Sequence, residues 1–284
     1  MIIMSTNIRE LQTLTSGIAT SDGDGVKMTR IIGSPELNML DPFLLFDAFE
    51  SEQANDYIGG FPDHPHRGFE TVTYLLAGRM RHKDSAGHEG VIEAGGVQWM
   101  TAGKGIIHSE MPEQEDGLLQ GFQLWINLPA KQKMQTPAYQ EFSAAEIAVE
   151  KLANGTEIRV IAGTTNQGTT GPVINEWVKP LYMDITLPKD QIFEQTVNRE
   201  DHVFPYVIEG ELAVGESKRV IGHRKMGVLQ AGEKVVVTAN ENTRFLLLAA
   251  QPLNEPVARG GPFVMNTKAE VLQAFDDFKH NTFL

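Results

Sequence analysis

The stretch Gly60-Phe-Pro-Asp-His-Pro-His-Arg-Gly-Phe-Glu70 decides how the chain is interpreted, because its histidines, His64 and His66, stand two positions apart. A second pair with the same spacing, His108 and Glu110, follows further along the chain. Side chains two positions apart on an extended strand point to the same face. Three imidazoles and a carboxylate turned toward one point offer only nitrogen and oxygen ligands, a set suited to Fe, Mn, Ni, Cu or Zn. The pairs therefore indicate a metal site.

The composition excludes several classes of protein. Of the 284 residues, 41% are hydrophobic and 21% are charged, as in globular proteins and unlike disordered chains. The absence of cysteine excludes disulfides, thiolate metal sites and cysteine nucleophiles. The net charge of −13 argues against nucleic-acid and anionic-membrane surfaces, which need clustered Lys and Arg. Residues 1–13 lack the features of a signal peptide. We therefore expect a cytoplasmic protein that binds neither membranes nor nucleic acid directly.

Short apolar runs bounded by Gly, Asp, Asn and Pro recur along most of the chain. Strands at such regular intervals are typical of an all-β sandwich or barrel. Clear examples of these runs are residues 71–76, 121–128, 157–162, 181–187 and 243–250. The sequence therefore predicts an all-β fold class.

Only the end of the chain has a convincing helical pattern. Asn266 or Thr267 can cap a helix there. Four apolar residues follow the spacing of one helix face: Val271, Leu272, Phe275 and Phe278. We expect this short C-terminal helix to use the apolar stripe for packing against a barrel surface or edge.

The chain contains a weak internal repeat. Residues 90–102 align with residues 227–239, and residues 74–78 align with residues 206–210. In each half an apolar strand enters a glycine turn, and a Gly-Val-aliphatic turn then leads into another strand. Such self-similarity predicts two β-barrels of one design.

The join between the two barrels is predicted near residues 129–137, where Pro, Lys and Gln interrupt the strand pattern. This gives an N-terminal barrel with the metal site over residues 1–135. A degenerate C-terminal barrel, together with the terminal helix, then occupies residues 136–284.

The second half lacks the ligands of the first. The alignment places four residues without imidazole nitrogens opposite the two pairs: Thr196, Asn198, Phe245 and Leu247. The metal chemistry is therefore predicted in the first barrel, and the second barrel is expected to be structural or to shape access.

The motifs of the first half resemble those of the cupin superfamily. Residues 60–70 followed by Gly78 are similar to the first cupin motif, and residues 95–108 resemble the second. Five blocks then narrow the resemblance to the pirin family: residues 40–47, 63–70, 100–110, 122–129 and 261–267. The resemblance extends from near residue 40 to the C-terminal helix. It implies two jelly-roll-like cupin barrels in tandem.

The resemblance also implies the metal and its ligands. Pirins hold one metal, usually iron, in the N-terminal barrel by three histidines and one glutamate. Carried over to this sequence, the implied ligands are His64, His66, His108 and Glu110. We expect Fe(II), although a nitrogen-and-oxygen cage also binds Ni, Mn, Cu or Zn.

Glu70 is the alternative carboxylate ligand. Many cupins place their carboxylate at this position, and Glu70 shares the strand parity of His64 and His66. Strand geometry alone leaves the choice between Glu70 and Glu110 open. The pirin resemblance favours Glu110, and Gly68 could bulge the strand and turn Glu70 aside to support an imidazole or a backbone group.

The implied activity is that of a quercetin 2,3-dioxygenase. In this reaction a flavonol binds the metal through its 3-hydroxyl, O₂ adds across the heterocycle and carbon monoxide is released. Within this hypothesis the three histidines fix the metal, and Glu110 acts as general base for the hydroxyl proton. The expected partners are a small aromatic substrate and O₂.

A regulatory protein is the alternative function. Some pirins are implicated in transcriptional co-regulation and in binding metabolic enzymes, where the metal state alters the surface offered to a protein partner. The acidic balance of the chain suits a protein partner better than DNA. Under this alternative the metal site has no physiological reaction.

Overall fold

The computed structural model describes residues 7–284, which form 24 strands and one α-helix. Strands β1 to β12 are Leu11–Thr15, Ile18–Asp22, Val26–Ile32, Phe43–Ser51, Phe61–His66, Phe69–Ala77, Arg79–Asp84, Glu89–Glu93, Val97–Thr101, Ile106–Pro112, Leu119–Asn127 and Ala138–Phe142. Strands β13 to β24 are Ala148–Lys151, Glu157–Ala162, Leu181–Leu187, Ile192–Thr196, His202–Glu209, Leu212–Val214, Arg219–Ile221, Met226–Leu229, Lys234–Ala239, Thr243–Ala250, Ala258–Gly260 and Phe263–Met265. Helix α1 spans Lys268–Lys279. The predicted all-β class is confirmed.

The described chain divides into two compact units. The first, here called the site barrel, contains Gly17–Ala145 and Leu253–Leu284. The second barrel contains Glu146–Pro252 and the described N-terminal residues up to Ser16. This division differs from the linear one expected at residue 135, because backbone pairing rather than sequence order decides which barrel a terminal segment completes. Strand β1 pairs with β20 of the second barrel, whereas α1 belongs to the site barrel.

The site barrel contains two main sheets. Its seven-stranded sheet has the order β12-β9-β6-β11-β4-β3-β2, and its four-stranded sheet has the order β5-β10-β7-β8. A two-sheet unit of this kind is typical of jelly-roll barrels. Side chains along strand β7 alternate between the interior and the solvent: Met80, His82 and Asp84 are buried, while their neighbours are exposed. The four-stranded sheet places β5 beside β10.

The second barrel repeats this design. Its sheets have the orders β1-β20-β17-β22-β15-β14-β13 and β16-β21-β18-β19. By position in the sheets, β16 corresponds to β5 and β21 corresponds to β10. The prediction of two barrels of one design is therefore confirmed, although only the shorter aligned segments, 74–78 and 206–210, belong to corresponding strands, β6 and β17.

The predicted counterparts of the ligand pairs are wrong by one strand or one residue. Phe245 and Leu247 lie on β22, which corresponds to β11. Glu110 of β10 pairs with β7, and Val237 of β21 pairs in the same way with β18. Val235 and Val237 therefore stand at the positions of His108 and Glu110. The alignment slipped because the first half has Gly-Val at both Gly90 and Gly96, and Gly227 was matched to Gly90 although β20 corresponds to β9.

The same register changes the counterpart of the first pair. Gln195 lies opposite Val235 on β21, as His64 lies opposite His108 on β10. Thr196, the expected counterpart of His64, is one residue further along the strand. The conclusion that the second barrel lacks the imidazole ligands is unchanged.

The C-terminal helix begins as the sequence predicts. Thr267 is the N-cap, and its side chain forms a capping box with Glu270. The predicted apolar stripe is buried only in part: Val271 is buried, but Leu272 is 58% exposed and Phe275 is 44% exposed. The helix packs beside the short β23–β24 hairpin, which is too narrow to cover the whole stripe. No helix in the described part of the chain is long and apolar enough to cross a membrane.

Candidate metal centre

The antiparallel pairing of β5 and β10 brings three histidines together. His108 lies opposite His64, and Ile106 lies opposite His66. One ring nitrogen from each of the three imidazoles lies within 4.8 Å of the others. Residues from two distant stretches of the sequence thus converge on one point.

Hydrogen bonding fixes the tautomer of His64. Its Nδ1 lies 2.8 Å from the carbonyl oxygen of Pro62, which can only accept, so Nδ1 carries the proton and donates it. The lone pair of His64 is therefore on Nε2, which lies 3.0 Å from Nε2 of His66. A backbone carbonyl that holds the outer nitrogen of an imidazole is a common support for a metal ligand.

The other two imidazoles are buried and neutral. His66 is 3% exposed and His108 is 1% exposed. Burial, together with the neighbouring imidazoles, lowers the pKa of both rings well below the usual value. Both ring nitrogens of His108 are buried without a hydrogen-bond partner among the described residues. A buried polar atom without a partner costs free energy, unless a ligand satisfies it.

These features fit a transition-metal ion. Two nitrogens that bind one ion at about 2.1 Å and at about 90° lie about 3.0 Å apart, which matches the separation of the His64 and His66 nitrogens. Neutral imidazoles keep the lone pairs that an ion needs. His64, His66 and His108 could therefore hold a divalent cation.

Glu110 lies two residues beyond His108 on the same strand and is 3% exposed. Its Oε1 accepts a hydrogen bond of 2.7 Å from the hydroxyl of Thr73. The carboxylate lines the same cavity as His64 and His66 but is not part of the three-histidine group. The structure thus places Glu110 beside the cluster, with its side chain held by the opposite sheet.

Glu70 has a different environment. It lies on β6 of the seven-stranded sheet, and its carboxylate accepts a hydrogen bond of 2.8 Å from the hydroxyl of Thr101. Gly68, with φ at +89°, separates β5 from β6, and a Cβ there would collide with the carbonyl of Val264. The chain therefore changes sheet between His66 and Glu70, and Glu70 does not line the cavity at the histidines.

Two buried cations support the turn after His66. The Arg67 guanidinium donates to Asp277 at 2.6 Å, to the Phe283 carbonyl at 3.0 Å and to the Lys104 carbonyl. The Lys133 ammonium donates to three oxygens: those of Gly68 at 2.7 Å, Asn127 at 2.5 Å and Val264 at 2.9 Å. Burial lowers the pKa of Lys133 to about 8. These bonds tie the C-terminal segment to the strand that carries two of the histidines.

A cavity of about 440 Å³ opens onto the histidines. This volume is in the range of small-molecule sites. Its apolar wall includes Met28, Leu45, Phe49, Phe61 and Trp125. Its polar lining beyond the histidines consists of Asp22, Arg30, Asp47, Glu110, Gln123 and Arg259. The centre thus faces a pocket with an aromatic wall and several charged groups.

Apart from Glu110, the charged groups of this cavity were not predicted from the sequence. Asp47 was detectable in principle, since it is a carboxylate inside the apolar run of β4. Arg30 donates to both of its oxygens, at 3.0 and 2.7 Å, and this interaction raises the pKa of Arg30. Burial raises the pKa of Asp47 to about 6 despite this partner. No sequence pattern marks Arg259, which follows the second barrel in the chain yet belongs to the site barrel.

Comparison with protein-family models gives matches in both halves. Residues 25–126 match the model described as Pirin, and residues 182–284 match the Pirin C-terminal cupin domain. The chain belongs to the pirin family. This confirms the family resemblance and the two cupin barrels expected from the sequence.

Individual relatives agree with this assignment. A pirin-like protein of Caulobacter vibrioides is 50% identical over 276 residues, which cover 97% of this chain and 99% of the relative. A Pseudomonas aeruginosa protein, provisionally named a quercetin 2,3-dioxygenase, is 43% identical over 96% of this chain and 98% of its own length. A crystal structure described as quercetin 2,3-dioxygenase from Acinetobacter baumannii matches with a TM-score of 0.88 and 34% identity, covering 97% of this chain and 98% of that one.

Proposed function

We propose that the protein is a metal-dependent dioxygenase that opens the heterocycle of a flavonol such as quercetin with O₂. The observation that carries the proposal is the cluster of three imidazoles at a cavity of about 440 Å³ with an aromatic wall. Similarity to the Acinetobacter baumannii structure, described as a quercetin 2,3-dioxygenase, supports the choice of substrate.

The proposed ligands are those expected from the sequence. His64, His66 and His108 would hold the ion, with Fe(II) as the expected metal, and Glu110 is the proposed carboxylate ligand. A bound divalent ion supplies a Lewis acid for the oxygens of the substrate and for reaction with O₂. Glu110 would need to turn from its hydrogen bond with Thr73 to approach the histidines more closely.

The protein contributes binding and a proton acceptor. Trp125 and the apolar wall would stack the flat flavonol and exclude water from the histidines. Glu110 lines the cavity and is the base proposed to accept the proton of the 3-hydroxyl. Thr73 donates to the Glu110 carboxylate from the opposite sheet, so it would orient the base when Glu110 is detached from the ion.

The test is turnover of quercetin by protein reconstituted separately with Fe, Ni, Mn, Cu or Zn, in air and without O₂. We expect O₂-dependent loss of quercetin with release of carbon monoxide for at least one metal. The His64→Ala, His66→Ala double variant is expected to be inactive. The matched control is Gln195→Ala in the second barrel, which should retain activity.

Metal binding without O₂-dependent turnover for any of the five metals would reject the dioxygenase. It would favour the regulatory alternative, in which capture of a protein partner depends on the metal. The cytoplasmic location and the absence of direct contact with nucleic acid remain predictions.

A further inference from the structure

The cavity contains a guanidinium that the protein does not pair with a carboxylate. Arg259 donates from Nη1 to the carbonyl oxygen of Leu44 at 2.7 Å. Among residues 7–284 it has no carboxylate within the distance of an ion pair. Arg30 in the same cavity is bound by both Asp47 and Asp22, at 2.7 and 2.8 Å. Arg259 is therefore the cation with donors to offer to a ligand.

The electrostatic surroundings favour an anion beside Arg259. Partial burial and the nearby cation of Arg30 lower the pKa of Arg259, and Asp47 only partly offsets them. An arginine stays protonated under such conditions, so the free-energy cost of burying its charge is reduced when a negative group binds beside it. The cavity carboxylates compete weakly for it, because Arg30 binds Asp47 and Asp22 while Thr73 donates to Glu110.

Trp125 connects Arg259 with the metal centre. The Trp125 ring lies 5.1 Å from the ring of His66, and the guanidinium carbon of Arg259 lies 5.8 Å from the same indole. An aromatic ligand that packs beside Trp125 can therefore present oxygens to the histidines and a substituent to Arg259. Both ends of such a ligand would meet groups of suitable chemistry.

We propose that Arg259 binds a carboxylate on an aromatic ligand whose chelating oxygens face the three histidines. The inference rests on the metal ligands and cavity of the proposed function, and it adds aromatic acids to the ligands that this cavity accepts. Quercetin carries no carboxylate and would leave Arg259 unused. Arg259 is thus assigned as a specificity-determining residue.

Binding of a matched pair of catechols to the Zn(II)-loaded protein tests this assignment. The probes are 3,4-dihydroxyphenylacetate and its amide, which share the chelating oxygens and the size but differ in charge. Calorimetric titration is expected to show that the acid binds about tenfold more tightly, since a hydrogen bond to a charged group has roughly this value. The preference should weaken as salt is added.

Three variants locate the effect. Arg259→Gln should remove the preference for the acid, and Arg259→Lys should restore part of it. Arg81→Gln, which removes a guanidinium on the outward side of β7, should leave the preference unchanged. Equal binding of acid and amide by the wild type, binding of neither, or a preference that persists in Arg259→Gln would overturn the proposal.

The result is separable from that of the flavonol assay. Zn(II)-loaded protein reports binding of the catechols alone, so it can succeed even if quercetin is not oxidised with any metal. Conversely, oxidation of quercetin with equal binding of acid and amide would reject the role of Arg259 and leave the dioxygenase in place.

Discussion

The two barrels share one order of strands but have different interiors. The second barrel is filled by one continuous apolar cluster, which includes Phe193, Val235, Val237 and Phe245. In the site barrel, smaller apolar clusters lie among the described residues, such as the one that contains Val26, Phe49 and Leu75. The site barrel also buries histidine, glutamate and threonine side chains, among them His66, His108, Glu110 and Thr73, so the fold tolerates a polar centre in one copy.

The contrast is sharpest between the corresponding strands β10 and β21. His108 and Glu110 in the site barrel stand where Val235 and Val237 stand in the second barrel, and all four are buried. The valines need only fill space, whereas the histidine and the glutamate need partners. A jelly-roll barrel thus gains a function at these positions by giving up part of its apolar core.

The largest expected effect is the loss of the metal from the site barrel. The His64→Ala, His66→Ala double variant should bind Fe(II) at least about a thousandfold more weakly, because loss of even a supporting group commonly costs ten- to a hundredfold. Competition with a chelating dye measures the affinity. Gln195→Ala, the matched change in the second barrel, should leave it unaltered, and a similar loss there would refute the assignment of the site to one barrel.

The next effect in size comes from placing a charge inside the second barrel. Val237→Glu should lower the free energy of unfolding by about 3 kcal/mol, because Val237 lies in the apolar cluster, where a carboxylate would lose its hydration. Urea unfolding measures the change. Val236→Glu, on the opposite face of β21, should change stability by less than about 1 kcal/mol. Equal effects of the two variants would contradict the register described above.

A smaller effect on stability is expected at Lys133 of the site barrel. Lys133→Met should lower stability by about 2 kcal/mol at pH 7, since three buried oxygens lose their donor. Burial lowers the pKa of this lysine to about 8, from the 10.5 of an exposed side chain. The unfolded chain therefore binds more protons between these values, so the contribution of Lys133 to stability rises with pH across that window.

Urea unfolding at pH 7 and pH 9.5 measures this dependence. The wild type should gain stability relative to Lys133→Met between the two values, because a charge that is costly to bury is removed from the folded state. A constant or shrinking difference would mean that Lys133 does not titrate in this range.

The smallest expected effect concerns the metal-free centre. His108→Val copies the residue of the second barrel and removes two ring nitrogens that lack partners. In the presence of a chelator the variant should be about 1 kcal/mol more stable than the wild type. Thermal unfolding measures this difference in stability, and its sign should reverse when Fe(II) is added. Lower stability of the metal-free variant would show that the imidazole is not a cost to the fold.

The sequence indicated for a specific reason that His64, His66 and His108 lie together. Two residues that are two positions apart on a strand face the same side whatever the register of that strand. His64 with His66, and His108 with Glu110, could therefore be recognised as pairs without knowledge of the neighbouring strands. The comparison of the halves was less accurate, because glycine turns look alike and a shift of one strand is not visible in the sequence. Sheet order and register then identified Val235 and Val237 as the true counterparts.

The chain by itself determined the all-β class, the doubling of one barrel and the three imidazoles of a candidate metal centre, because these depend on local periodicity and residue chemistry. Tertiary structure alone decided that α1 and Arg259 belong to the site barrel, that Glu70 lies on another sheet and that Trp125 joins His66 to an unpaired cation. These features depend on contacts between residues far apart in the sequence, and local sequence patterns do not indicate which strands pair or which side chains come into contact.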